Sequence, residues 1–323
     1  MRPHPPRICV VGSSNIDLTF RMPRLPRPGE TLAGQSFQLG FGGKGANQAV
    51  MAARLGARVT MVSRVGRDIF GEQTVHNYQQ HGIDTTHVLR DASQPTGTAA
   101  IVVEESGQNC ILLVPGANAS LSPDDVRTAA SILGECGMLL CQLEVPVETT
   151  LEAFRIARAA GVRTLLNPAP AAPLPDELLR LTDLCVPNET ETEMLTGQRV
   201  TTPEEARAAA EMLRQRGAGA VLVTLGARGV VLVEEGWEHL AATPVRAVDA
   251  SGAGDAFIGS LAVFLLEGLP LRQAAQLANR AAALSVTRPG TQASFPTRDE
   301  IDDFMSDLRA HRTPPGVQET ELE

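Results

Sequence analysis

Asp255 stands at the end of DASGAGD, a run of small residues between a strand-like approach and an apolar helix pattern that starts at Ala256. The first amides of a helix have no partner inside it, so Gly252, Ala253 and Gly254 offer N–H groups to an anion placed there. The carboxylate beside them reads in two ways. It can cap the helix and profit from the macrodipole. It can also take the proton of a hydroxyl that attacks a phosphoryl group held by those amides. Ser251 or Asp249 could supply the cap instead, which would free Asp255. Loop and carboxylate together describe phosphoryl transfer to an alcohol.

Other polar groups fit that chemistry. SSNID (13–17) follows the first apolar strand and places Asn15 and Asp17 on one side, two residues apart. In FGGKGAN (41–47), bare backbone around Gly43 permits close approach of a ligand, and Lys44 and Asn47 supply donors. Glu144 ends the apolar strand GMLLCQLE. Carboxylates and amides of this kind accept and donate in the pattern a polyol needs. Neither glycine loop is a familiar phosphate motif: Phe257 replaces the third glycine of a dinucleotide fingerprint, and Gly45 replaces the Ser/Thr of a P-loop. NETE (188–191) also follows a strand. Asn188 and Glu191 share a face of a starting helix, which suits hydrated Mg²⁺ and nucleotide phosphate, or equally a capping box. TLGARG (Thr224, Leu225, Gly226, Ala227, Arg228, Gly229) is a tight loop that could lie beside adenine or ribose. With one Trp and one Tyr in the chain, an aromatic stack on the base is not expected.

The elements that must position these groups alternate along the chain. Strands ICVVGS, RVTMVSRV, GMLLCQLE, VRTLLNP, DLCVPN and AVLVTLG alternate with helices over 45–55, 70–81, 148–160 and 202–215. Apolar strands followed by amphipathic helices predict an α/β fold, a mainly parallel sheet covered by helices on both faces. Two segments interrupt the rhythm. Residues 17–38 are extended with a PRPGE turn, and 96–114 read as a hairpin turning at ESGQN. A small β lid over the carboxyl ends of the main strands is the economical reading, because ligands of open α/β sheets bind there. The kinase domain would then comprise 1–16, 39–95 and 115–310, with 311–323 as a disordered tail.

The whole chain bounds the partners. Its 323 residues suffice for a large core, and 43% are apolar, without an 18-residue apolar run for a membrane. A net charge of −9 argues against a nucleic-acid surface. MRPHPPR leads straight into a strand, which leaves no signal-peptide segment. Cys9, Cys110, Cys136, Cys141 and Cys185 are scattered and odd in number, as expected of reduced, mostly buried thiols in a cytoplasmic protein. NAS at Asn118 and NET at Asn188 match a glycosylation pattern that carries no weight without secretion.

FGGKGANQAVMAARLGA (41–57), NPAPA (167–171), PNETE (187–191), TLGARGV and DASGAGDAF together resemble the PfkB sugar kinases, and among them the ribokinases. The similarity runs from about residue 8 to about residue 305. It implies a Rossmann-like three-layer domain with a β lid that also clasps a homodimer. It implies ATP, Mg²⁺ and K⁺, with D-ribose phosphorylated on its primary hydroxyl. By position, the resemblance makes Asp255 the base and gives the sugar to Asn15, Asp17, Gly43, Lys44, Asn47 and Glu144. Asn188, the 224–229 loop, Gly254 and Asn279 match nucleotide contacts, and Glu191 matches a Mg²⁺-associated glutamate. Asp249, Ser251, Ser285, Arg288, Gly290 and Ser294 match a K⁺ site. Ala250 departs from the common DTTGAGD and implies weaker K⁺ affinity. A kinase for 2-deoxyribose and a sugar-binding protein without catalysis are the rival readings.

Overall fold

A computed structural model describes residues 5–106 and 108–310. Nine strands form the main sheet, in the spatial order Trp237–Leu240, Val230–Val233, Ala220–Thr224, Leu184–Cys185, Arg163–Leu166, Met138–Cys141, Arg7–Val11, Arg58–Gly66 and Asp84–Asp91. All neighbours are parallel except the two pairs made by Val230–Val233. Successive residues of the central strands feed different cores. Ile8, Val10, Leu140, Leu165 and Leu222 belong to one, and Cys9, Val11, Leu139, Cys141 and Leu166 to the other. Burial on both faces is why these strands are continuous apolar runs.

The chain starts in the middle of the sheet, builds outward to Asp84–Asp91, then returns to add Met138–Cys141 on the other side of Arg7–Val11. The connections leaving these two neighbours diverge, which opens a crevice at their carboxyl ends. Ser13–Asp17 follow one strand and Glu144 follows the other. Glu144 does not end its strand as GMLLCQLE suggested; pairing stops at Cys141, and Glu144 lies three residues beyond.

A second sheet orders Ser36–Gly42, Asn15–Met22, Gly97–Glu104 and Asn109–Val114. The PRPGE turn is present, with Glu30 N–H donating to the Arg27 carbonyl at 2.9 Å. The hairpin between Gly97–Glu104 and Asn109–Val114 is antiparallel, although Gly107 at its tip lies outside the described residues. The tail 311–323 also lies outside them. Absent from the sequence reading were the edge strand Asp84–Asp91, too polar to stand out, the hairpin Val230–Val233/Trp237–Leu240, and several helices, Leu271–Ser285 and Arg298–Ala310 among them.

The described helices 44–54, 69–80, 147–159 and 203–215 start within a residue of the expected positions. The exception is the helix that carries Asp255. It starts at Ala253, three residues before the apolar pattern, and runs to Leu266. Among the described residues no helix is long and apolar enough to cross a membrane.

Candidate active site

Asp255 occupies the third position of the Ala253–Leu266 helix and does not cap it. The N-cap is Gly252 at φ 75°, a left-handed conformation suited to glycine, and no side chain caps this end. Asp249 and Ser251 do not cap it either. The Asp249 carboxylate accepts from the Ser251 amide (2.9 Å) and the Gly290 amide (2.9 Å), tying two loops together. Asp255 instead accepts from Asn47 Nδ2 at 2.9 Å and Gln48 Nε2 at 3.0 Å. Close helix packing makes that contact: a Cβ on Gly259 would stand 2.7 Å from the Gln48 carbonyl oxygen. Without a side chain there, the Lys44–Arg54 helix settles against the Ala253–Leu266 helix and brings its amides to the carboxylate.

Burial pushes the Asp255 pKa up, while Lys44 and the two amide donors pull it down. The net position is above the ordinary value. Lys44 shows the mirror effect. Burial disfavours its charge, but the fields of Asp255, Glu144 and Glu191 outweigh that and hold it protonated.

A cleft opens beside this group. Lys44, Asn188, Glu191, Thr224, Gly252, Gly254 and Asp255 are among the residues that line a cavity of about 160 Å³. Of the three amides expected to face an anion, the Ala253 N–H already donates to the Ala250 carbonyl at 3.2 Å. Asn188 and Glu191 form the capping box: Asn188 Oδ1 accepts from the Glu191 amide (2.8 Å), and Glu191 Oε2 accepts from the Asn188 amide (2.8 Å). Glu191 Oε1 also accepts from Asn188 Nδ2 at 3.0 Å. Capping and a cleft position thus coexist in one pair. Thr224 bridges to Asn188, and Arg228, which is not among the residues lining the cleft, pairs with Glu189 at 3.1 Å. Leu225 is buried, its amide held by Gly229, and Gly226–Arg228 form one 3₁₀ turn. Asn279 donates to the Ala241 carbonyl at 3.0 Å.

Glu144 and Asp17 lie close enough for their charges to act on Asp255. Glu144 Oε2 accepts from Ser13 Oγ at 2.5 Å and from the Lys44 amide at 2.9 Å, which points it between the first strand and the Lys44–Arg54 helix. Gly43 caps that helix. Asp17, two residues along from Asn15 on the second sheet, faces the same centre. Burial, then Glu144 and Asp255, push its pKa up to about 7.

The residues matched to a cation fall into one region but are knit among themselves. Ser285 and Ser294 donate their hydroxyls to Ala282 and Thr291 carbonyls, at 2.8 Å each. Arg288 pairs with Glu300 at 2.6 Å. Among the described residues no three His, Cys, Asp or Glu side chains are grouped to hold a metal.

A family model described as the pfkB family carbohydrate kinase matches residues 5–298. This chain belongs to that family. The Mus musculus ribokinase is 44% identical to it over 302 residues, 91% of this chain and 93% of the relative. The Salmonella typhi deoxyribokinase is 42% identical over 301 residues, 93% of this chain and 98% of the relative. The structure of Arabidopsis thaliana ribokinase complexed with ribose and ATP superposes with a TM-score of 0.86 at 32% identity, covering 93% of this chain and 99% of that one.

This pfkB kinase also uses residues that the sequence reading passed over. Asn118, noted only for its glycosylation pattern, is buried; its Nδ2 donates to Asn15 Oδ1 at 2.8 Å and its Oδ1 accepts from the Ser14 amide at 2.8 Å. That pairing turns the Asn15 nitrogen outward. Gln48, inside the quoted GGKGANQA, is the second donor to Asp255. A polar residue on the inward face of an amphipathic helix was the available signal for Gln48; nothing local marked Asn118. Cys110 is exposed, whereas burial pushes the Cys185 thiol up to about 12 and Cys136 to about 11. Cys9 and Cys141 are buried and free, their thiols raised for the same reason.

Proposed function

We propose that this chain transfers the γ-phosphoryl group of ATP to the primary hydroxyl of D-ribose, giving D-ribose 5-phosphate and ADP. The observation that carries the reading is Asp255, buried at the junction of the cleft and the Asn15–Asp17–Glu144 cluster and oriented by two amide donors. There it takes the proton as the hydroxyl oxygen attacks phosphorus, a new P–O bond forms, and the bond to the β–γ bridging oxygen breaks. Lys44 and the amides of Gly252 and Gly254 balance charge on the migrating group. Asn15, Asp17, Asn47 and Glu144, with the backbone at Gly43, hold the sugar. Asn188, the Thr224–Gly229 loop and Asn279 border the nucleotide. Ribokinase names recur among relatives at 38–44% identity, which supports ribose as the sugar.

Each Glu191 oxygen accepts one hydrogen bond from Asn188 and keeps a further lone pair, so the residue suits a Mg²⁺ ion that retains its water shell. Bound that way, it would neutralise phosphate charge. Asp249, its pKa lowered overall despite burial by the Ser251 and Gly290 amides, stays anionic. With Ser251, Ser285, Arg288, Gly290 and Ser294, largely through oxygens that keep free lone pairs, it suits K⁺. The second sheet is assigned as the lid. Its exposed Phe20, Phe37, Leu39 and Leu112, which the strand register puts on one face, support a homodimer through that surface. Mostly buried free thiols fit a cytoplasmic setting.

The test is ADP release across a pentose and hexose panel. Ribose should show the highest kcat/KM. A higher value for 2-deoxyribose would reassign the substrate, and no turnover with any sugar would leave a binding protein.

A further inference from the structure

Behind the two amides that touch Asp255 stand further amides with no part in the chemistry so far. Asn47 uses both ends of its side chain: Nδ2 donates to Asp255, and Oδ1 accepts from Gln292 Nε2 at 3.0 Å. Gln292 is likewise used at both ends, since its Oε1 accepts from Asn77 Nδ2 at 3.0 Å. Its backbone carbonyl is anchored by Arg54 Nη1 at 2.8 Å. Asn77, Gln292 and Asn47 are all buried. A shorter arm reaches the other carboxylate oxygen, where Gln142 Nε2 donates to Gln48 Oε1 at 2.6 Å and Gln48 donates to Asp255.

Along both arms the hydrogens point toward Asp255, and Gln48 Nε2 donates to Asn167 Oδ1 as well, at 3.2 Å. An amide presents an oxygen at one end and hydrogens at the other, so a donor fixed on its oxygen decides which end faces forward. Asn77 orients Gln292, and Gln292 orients Asn47. Aligned amides polarise one another and place partial positive charge at the carboxylate. We propose that Gln292 is a positioning residue for phosphoryl transfer. Acting through Asn47, it aims and stabilises the ionised Asp255, and Asn77 fixes Gln292 in that role. This rests on Asp255 being the base. The charged groups whose fields also reach Asp255 are Lys44, Asp17, Glu144 and Glu191, and none belongs to the Asn77–Gln292 arm.

The test compares Gln292→Leu and Asn77→Ala with wild type, each alone and combined with Asp255→Asn, with KM for ATP and thermal melting followed alongside. Loss of the donor should weaken the anion, so the acid limb of the kcat–pH profile should move to higher pH. At pH values on that limb, kcat should fall about 10-fold in Gln292→Leu and less in Asn77→Ala, with KM for ATP unchanged. In the Asp255→Asn background neither substitution should lower kcat further. If Asp255→Asn is slow but Gln292→Leu and Asn77→Ala keep the wild-type kcat and acid limb, the positioning role is wrong and the base stands. A loss at Gln292 that persists in the Asp255→Asn background makes the residue structural and overturns the proposal. Near-normal turnover in Asp255→Asn removes the base reading, and this inference with it.

Discussion

Asp255 and Asp17 are the same side chain in two parts of one site, and the fold treats them differently. Asp255 comes from the first turn of a buried helix on the main sheet, with amide donors on both oxygens and Lys44 nearby. Asp17 comes from the second sheet, is half-buried, and among the described residues receives no hydrogen bond on its carboxylate. Burial raises both pKa values. Only at Asp255 do bonded donors pull the other way; at Asp17 neighbouring carboxylates add to the rise. A carboxylate whose partners are already in place is ready to act on a proton. One left short of donors waits for a ligand that brings hydroxyls.

The sharpest way to break that contrast is to neutralise each group. Asp255→Asn should lower turnover by roughly 10²–10⁴, the usual worth of a general base, while ribose and ATP binding stay within a few-fold. Single-turnover kinetics with direct ribose binding would check it; near-normal turnover would end the base assignment.

Removing sugar acceptors should act on binding instead. Asp17→Ala and Glu144→Ala are expected to raise the ribose KM about 10- to 100-fold, matching about 1.5–3 kcal/mol for a charged hydrogen bond. The KM for ATP should change far less. Equal losses for both substrates would indicate damaged folding rather than lost recognition.

The pH dependence sharpens the comparison further. With its pKa raised from 3.8 to about 7, Asp17 takes up a proton as the pH falls through neutrality and loses acceptor capacity. One pH unit below that point the ribose KM should be about tenfold higher, and Asp17→Asn should flatten the dependence. Stability runs the opposite way. The contribution of a raised carboxylate pKa is complete below pH 3.8 and lost as the pH rises through about 7. A KM that is level across this range in the wild type would show that Asp17 does not carry ribose affinity.

The smallest effect belongs to the cation loop. K⁺ beside residues 249–251 would order the turn at Gly252 without touching substrate, so it should change kcat by a modest factor and leave KM alone. Titration with KCl against a large-cation salt at constant ionic strength measures it, and Ala250→Thr should lower the half-activating concentration. No response in the wild type would remove the K⁺ assignment; an unchanged midpoint in the variant would clear Ala250 of weakening it.

Much of the architecture was legible because burial on both sheet faces writes itself into the strands as apolar runs, and the flanking helices carry amphipathic stripes. The polar clusters at Asn15–Asp17, Lys44–Asn47 and Glu144 were legible as breaks in those patterns. Asp84–Asp91 was not, because an edge strand that fully buries only Val88 and Asp91 can keep DTTHVLRD. The helix start at Ala253 was hidden as well, since glycine and alanine in the first turn look like loop until the packing partner is known.

The sequence alone determined that carboxylates, amides and a lysine follow the ends of apolar strands, which is enough for an anion and a polyol. The residues around Asp255 allowed a cap or a base, since both need the same residue at the same place, and it was the family resemblance that favoured the base. Tertiary structure excluded the cap. The donors on Asp255 lie 208 and 207 positions away, and they arrive only because Gly259 lets two helices meet backbone to side chain. Asn118 reaches Asn15 across 103 residues in the same manner. Hydrogen bonds act over about 3 Å. A chain can display the groups that will make them, but only the packed core brings those groups within that distance.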